Sequence, residues 1–465
     1  MKVTAMFSTA KASMLVKSTL LAAPLALAPA VSSVLMQSLE LDGFQSGVVY
    51  AQEEAEQKPK YKTRKTPALR EKVFKQLAKV QELTNPDTEK DPDAKPNFPE
   101  ALKELREISA GTERGKWNQY ELAQLYNYYG FVYYTLENYP EAIKYYKLVV
   151  AQSPQIPEGL EVGTLYTIAQ LYFVQEDYRN AIVSLKKWME LSPIVGADAY
   201  ILLGQAYYQI NDMKQALTNV NIAVKRYEEK GKIPKENWFS LQRALYYDKG
   251  DNKKVIEILE KMVRHYPKAT YYKQLSGMFG AVGREKDQLH MLDAAYQMGA
   301  VTKEKELLNL AYLYMGEDYP YRAARLVDKG IKDGNIEATS KNLELLATAW
   351  RLAQEVKKSI PEMEKAAKKS DKGDLYARLA GIYLDNDLHD KALEAGATAL
   401  KRGGIKRIDQ LQIVLGMANA NKKNYSEAIK AFKAAAKDKR SKKFALQWIQ
   451  YCESEIKREK QLAAK

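Results

Sequence analysis

Gly130-Phe-Val-Tyr133, followed by Ala142 and Tyr146, decides the fold, because the same residue types return at the same offsets along the rest of the chain. A small residue is followed after three positions by an aromatic, after twelve by a second small residue, and after sixteen by another apolar side chain. The second occurrence reads Ala169, Tyr172, Ala181, Leu185 and the third Gly204, Tyr207, Ala216, Val220. The series continues with Arg243/Tyr246/Val255, Ser276/Phe279/Gln288, Ala311/Tyr314/Ala323, Ala347/Trp350/Ser359, Ala380/Tyr383/Ala392 and Gly416/Asn419/Ala428. These are nine units at intervals of roughly 35 residues.

Such spacing predicts pairs of helices that touch at short range. A small side chain at each crossing lets the backbones approach, and the aromatic fills the wedge beside them. One pair cannot bury its apolar face alone, so neighbours must stack. The fourth and fifth units depart from the pattern, with bulky Arg243 in place of a small residue and polar Gln288 in place of alanine. A splayed or kinked pairing is expected at those two.

Working outward, Leu69, Val73, Leu77 and Val80 mark one helix face, and Ala101, Leu105 and Ile108 mark a second beyond a proline-rich loop. Residues 67–111 therefore read as a divergent helical hairpin in front of a solenoid at 112–441. Residues 442–465 read as a basic capping helix, with Phe444, Leu446, Trp448, Ile449 and Ile456 covering the last unit. Residues 52–66 are charged, contain Pro59 and lack apolar periodicity, which is the composition of a flexible tether.

Residues 1–51 carry Lys2, Lys11 and Lys17 ahead of an apolar stretch from Ser18 to Met36, the layout of an export signal peptide. Two small-residue cleavage patterns end at Ala30 and Ala51, and the acidic Gln52-Glu-Glu54 favours the second. An uncleaved inner-membrane anchor is the rival reading, since the run nears the ~20 residues that span a bilayer, although Pro24 and Pro29 interrupt it. With Cys452 the only cysteine, neither an intrachain disulfide nor a thiolate metal cage can form. An exported chain of this kind is expected in the periplasm.

The net charge is +14, and more than half of it lies between Asn421 and Lys465, where thirteen Lys and Arg face five Asp and Glu. That end is read as a solvated cap or as a weak contact for an anionic surface. Export removes nucleic acid as a partner. His265, His290 and His389 sit in separate units with no second metal ligand at a workable spacing, and no cofactor is expected. Gly111-Thr-Glu-Arg-Gly-Lys116 is one residue short of a phosphate-binding loop and continues into Trp117 instead of a hydroxyl residue. No hydrolase elbow or zinc-protease pair occurs, so the chain reads as a non-enzyme.

The small-aromatic-small spacing resembles the tetratricopeptide repeat. The resemblance implies an all-α, right-handed superhelical solenoid whose first helix in each unit lines a concave wall. The wall positions lie three before, one after and four after the small residue. Carried over in that register, they give Asn127, Phe131, Tyr134, Tyr166, Gln170, Phe173, Gln205, Tyr208, Tyr247 and Tyr312 as partner-binding residues, an aromatic and amide stripe. In this chain of 32 Tyr, the same rings can equally be core between units. The Lys and Asn pattern by which some members hold acidic tails is missing from the first four units.

The runs Gln124-Leu-Tyr-Asn-Tyr-Tyr-Gly130, Ile156-Pro-Glu-Gly-Leu160, Pro234-Lys-Glu-Asn-Trp238 and Tyr271-Tyr-Lys-Gln-Leu-Ser-Gly277 are similar to periplasmic tetratricopeptide proteins encoded beside TonB energy-transduction systems in gammaproteobacteria. That likeness implies a scaffold for protein partners, TonB-system components among them. The alternative is an envelope-assembly or polysaccharide-export scaffold that binds an outer-membrane protein or a glycan.

Overall fold

A computed structural model describes residue 64 and residues 66–86, 93–112 and 116–463. The expected signal peptide and most of the tether lie outside the described residues. These residues form twenty-one helices and no strand, and none of the helices is long and apolar enough to cross a membrane. They divide into two compact units, one ending at Tyr266 and the other beginning at Pro267. Each is an all-α solenoid of stacked helix pairs.

In the N-terminal unit, α1 (Glu71–Thr84) and α2 (Phe98–Ala110) form the leading hairpin. Four repeats follow, α3 (Gln119–Thr135) with α4 (Tyr139–Val150), α5 (Glu158–Val174) with α6 (Tyr178–Leu191), α7 (Ala197–Gln209) with α8 (Met213–Glu229), and α9 (Glu236–Asp248) with α10 (Asn252–His265). Val73, Leu77 and Val80 of α1 and Ala101, Leu105 and Ile108 of α2 bury the faces that their spacing predicts. They join one core with Leu125, Tyr128 and Phe131 of α3.

The C-terminal unit holds five repeats, α11 (Ala269–Ala281) with α12 (Glu285–Gln297), α13 (Glu304–Gly316) with α14 (Pro320–Lys332), α15 (Ser340–Leu352) with α16 (Val356–Lys369), α17 (Asp374–Leu384) with α18 (His389–Arg402), and α19 (Ile408–Asn421) with α20 (Tyr425–Ala435). Helix α21 (Lys439–Ala463) closes it. Its covering face is Ala445, Ile449 and Cys452, whereas Phe444 and Leu446 are exposed. The expected capping face was therefore wrong at those two positions. The buried residues recur at helical spacing four and three apart, and Phe444 and Leu446 lie to either side of that stripe.

The short crossings are real contacts. A Cβ added at Gly130 would stand 2.6 Å from the Tyr146 ring, at Gly204 2.6 Å from Val220, and at Gly416 2.6 Å from the Phe432 ring. Each of those partners is the residue sixteen positions on. The fifth repeat pairs as closely as its neighbours, whereas the fourth is the loosest of the nine pairs, the splay expected for bulky Arg243. In the fifth, Ser276 Oγ donates to the Gln288 carbonyl at 2.9 Å, and Gly280 leaves the room that the Gln288 side chain fills. In the fourth, Arg243 is half-buried while Phe239, Leu259 and Met262 close the pair fully buried.

A second periodicity fixes the turn inside every repeat. Seven positions after the small residue stand Glu137, Glu176, Asn211, Gly250, Gly283, Asp318, Gln354, Asp387 and Lys423, all with φ between 58° and 76°. The next residue donates its backbone N–H to the carbonyl of the signature aromatic or its equivalent, as from Asn138 to Tyr133 at 2.8 Å and from Glu355 to Trp350 at 2.9 Å. This left-handed closure satisfies carbonyls at the end of the first helix. Only two of the nine are glycine, so seven side chains bear left-handed strain. Gln354→Gly is expected to raise stability by about 0.5–1 kcal/mol, read as the midpoint shift in urea unfolding. An unchanged midpoint would mean that the side chain compensates its own strain.

The units differ in how the second helix is started. In the N-terminal unit the residue after the left-handed one is Asn138, Asp177, Asp212 or Asp251, and its side chain accepts from a backbone N–H three residues on. In the C-terminal unit Arg284, Tyr319, Glu355, Leu388 and Asn424 stand there and make no such cap. Contact between repeats also changes sign. Lys147 and Lys186 lie over the rings of Tyr172 and Tyr207, at 5.3 and 5.5 Å from the centroids. In the C-terminal unit carboxylates occupy the matching place, where Tyr314 Oη donates to Asp293 at 2.5 Å and Tyr383 Oη donates to Glu364.

Candidate protein-binding wall

The first helices of the N-terminal unit, α3, α5, α7 and α9, carry nine of the ten residues expected on the wall. Tyr134, Tyr166, Gln170, Phe173, Gln205 and Tyr208 are half-buried, and Tyr247 is 53% exposed. Asn127 and Phe131 do not belong with them. They are 2% and 3% exposed, and Phe131 meets Phe98 of α2 edge-on at 6.3 Å. The leading hairpin thus takes Phe131 into the core of the first repeat. Tyr312 is exposed on α13 of the C-terminal unit and is not part of this wall.

The accessible rings are braced from behind. Tyr134 lies 6.2 Å from Tyr139, and Phe173 meets Tyr178 edge-on at 5.6 Å. Tyr166 packs at 4.9 Å against Trp188. Burial, and then the Asp198 carboxylate, push the Tyr166 hydroxyl well above its usual pKa. Burial, followed by the Asp248 carboxylate, raises that of Tyr208. Both phenols stay protonated at any ordinary pH and act as neutral hydrogen-bonding groups. Rings held in this way lose little entropy on contact with a partner.

The register extends to two offsets that the sequence reading left out, six before and five after the small residue. They add Thr135, Gly163, Val174, Asp198, Gln209, Asn237 and Asp248 to the accessible set. A Cβ at Gly163 would meet nothing within 4 Å, so the wall is open there. Across all five offsets in the four repeats there is no lysine or arginine, in a chain that has 72 of them. Asp198 is neutralised by Lys235 at 3.2 Å. The surface is aromatic, amide-rich and almost uncharged.

No group of three His, Cys, Asp or Glu among the described residues could hold a metal ion. His265 ends α10, as expected for a ring at the negative end of a helix, while His290 and His389 lie in α12 and α18. Residues 113–115 of the phosphate-loop look-alike are outside the described residues.

A model of the RNPP family C-terminal domain matches residues 94–230, from the loop before α2 to the end of α8. That stretch holds the wall from Tyr134 to Gln209, but not Tyr247. No curated protein matches the chain. The crystal structure of MamA protein is similar at 23% identity, over 38% of this chain and 91% of that one, with a TM-score of 0.32. A tetratricopeptide repeat protein from Parabacteroides merdae matches at 14% identity over 55% of this chain and 98% of its own, with a TM-score of 0.29. The structure of Naa15/Naa10 bound to HypK-THB matches at 14% identity over 81% and 62%, with a TM-score of 0.38. All three TM-scores are below 0.5, and nothing about function follows from them.

Proposed function

We propose that this protein is a non-enzymatic scaffold that holds a segment of a partner protein along the first helices of its N-terminal repeats. The observation that carries this reading is the run of accessible rings, one or two per repeat and three of them braced against other rings, at wall positions that hold no lysine or arginine. Rings of this kind supply about 25 cal/mol per Å² of apolar area that a partner covers. Solvated walls in a chain of charge +14 would be expected to show lysine at some of these positions.

We further place the protein in the periplasm as an accessory of a TonB-dependent transport system. The lysine-bearing apolar N-terminus supports export, and the sequence likeness over Gln124–Gly130, Ile156–Leu160 and Pro234–Trp238 supports the TonB association. Cell fractionation tests the first, with the chain expected in the periplasmic fraction. Recovery in the cytosol would remove it.

A photo-crosslinking residue at position 208 tests the wall, with position 183 on α6, a 64% exposed site, as the control. The partner should be captured from position 208 and not from 183. The triple substitution of Tyr134, Phe173 and Tyr208 by alanine should abolish capture while far-ultraviolet circular dichroism stays helical. Undiminished capture by a folded triple variant would move the site elsewhere. A TonB-system protein in the crosslink supports the finer reading, whereas an outer-membrane assembly protein or a glycan overturns it.

A further inference from the structure

A different surface stands at the end of the chain, on α21. We propose that α21 docks on an anionic lipid bilayer, with one flank of the helix lying in the headgroup layer.

Trp448, Tyr451 and Leu462 follow Phe444 at offsets of four, seven and eighteen residues, which places all four on one stripe of an α-helix. The stripe runs beside the buried face of Ala445, Ile449 and Cys452, and Phe444, Tyr451 and Leu462 are 43%, 47% and 64% exposed. Trp448 is half-buried and braces the rings. It stacks on Phe432 of α20 at 5.6 Å and meets Phe444 at 6.2 Å and Tyr451 at 5.5 Å. The stripe also contains Glu455, whose carboxylate is tied to Arg458 at 2.7 Å. Single exposed apolar residues are ordinary on any protein, but four along one flank form the apolar half of an interfacial helix. Residues 457–462 are all exposed, so the last turns of α21 do not pack on the final repeat.

Charge supplies the other half. Lys437, Lys439, Lys442 and Lys443 around the start of α21, and Lys457 and Lys460 near its end, are exposed, and no carboxylate among the described residues pairs with them. On earlier helices Lys103, Lys144 and Lys254 each pair with a glutamate three positions away. Only Glu453 and Glu459 of α21 are left to balance the six lysines. A second copy of this chain is a poor occupant, because a symmetric pair sets the same patch against itself and lysines would meet lysines. An anionic bilayer takes both halves, the rings at the level of the headgroups and the lysines reaching lipid phosphates. No helix of the described residues is long and apolar enough to cross a bilayer, so the contact runs along the surface.

The test is co-sedimentation of the full chain with large vesicles, either phosphatidylcholine alone or phosphatidylcholine with about one-third phosphatidylglycerol. Partition should be about tenfold stronger onto the anionic vesicles, and it should fall as salt is raised. Lys439→Gln/Lys442→Gln/Lys443→Gln should weaken it about tenfold and Phe444→Ser/Tyr451→Ser about fivefold. Lys214→Gln/Lys249→Gln/Lys253→Gln, which removes the same charge from exposed sites in the N-terminal unit, should leave it unchanged. Equal partition onto the two vesicles, or equal losses from the two lysine triples, overturns the proposal. Partition indifferent to the ring substitutions also overturns it, and poly-glutamate competing under those conditions would identify an acidic polypeptide as the occupant instead.

Discussion

Replacing Arg70 with alanine is expected to destabilise the N-terminal unit, lowering its urea midpoint well beyond what loss of an exposed ion pair does. Its guanidinium holds Glu121 through Nε to Oε1 at 2.7 Å and Nη2 to Oε2 at 2.6 Å, and its backbone N–H adds a third bond at 3.1 Å. Glu121 lies in the first turn of α3, is fully buried, and also accepts from the Asn118 backbone at 2.9 Å. Arg70 is half exposed but Glu121 is not, so removing the guanidinium strands a buried carboxylate, which costs more than losing a bridge between two exposed side chains. Arg70→Lys should be intermediate, since an ammonium cannot form the paired contact.

Acid should act through the same carboxylate. Burial opposes the charge of Glu121, but the Arg70 guanidinium and the backbone N–H groups outweigh it and hold its pKa below the usual value. A depressed carboxylate contributes stability that is present above its unfolded pKa, about 4.3, and is lost as pH falls through the lower folded value. The leading hairpin should therefore loosen below about pH 4 in the native chain, and at no such threshold in a Glu121→Gln variant. Hydrogen exchange of α1 and α3 amides reads both effects. An unchanged urea midpoint for Arg70→Ala would mean that water reaches Glu121.

Gly373→Ala is expected to cost about 3 kcal/mol in the C-terminal unit. A Cβ on Gly373 would lie 2.1 Å from the Ala399 carbonyl oxygen, which is backbone and cannot turn aside. The Gly373 N–H donates to the Gly403 carbonyl at 2.7 Å, so the start of α17 and the end of α18 are pinned together at that point. One methyl group must push two helices apart. Gly163→Ala, in the middle of α5 with open space around it, should instead stabilise by about 0.5–1 kcal/mol. The sign difference between two identical substitutions is the test, read as urea midpoints. Tolerance of alanine at Gly373 would show that α17 and α18 can slide apart without loss.

The helix pairs were legible because the contact that defines each one spans only sixteen residues, from Gly130 to Tyr146 or from Gly416 to Phe432. Offsets that short survive as a repeated pattern. The turn position seven residues after the small one was equally regular but went unread, since Glu, Asn, Asp, Gln, Lys and Gly all occupy it and share a backbone conformation, not a side-chain type. The wall was half legible. Its register is what the resemblance to the tetratricopeptide repeat implies, whereas the burial of Phe131 depends on Phe98 and the leading hairpin that covers it. Tyrosines away from the wall behaved as core, with Tyr129, Tyr133 and Tyr145 stacked at 4.3 to 6.3 Å.

From its residue order alone, then, this protein is a run of helix pairs with small residues at the crossings. Periodicity carries that much because each pair is closed by neighbours along the chain. Tertiary structure decided which rings stay open, which glycine has no room for a methyl group, and which arginines matter. Arg64 reaches Glu161 across 97 positions and Arg70 reaches Glu121 across 51. No spacing rule marks a lysine-like surface residue as the counter-charge of a buried glutamate until the chain has folded back on itself. Burial and charge pairing are properties of what lies opposite, and in a stacked repeat what lies opposite belongs to another part of the chain.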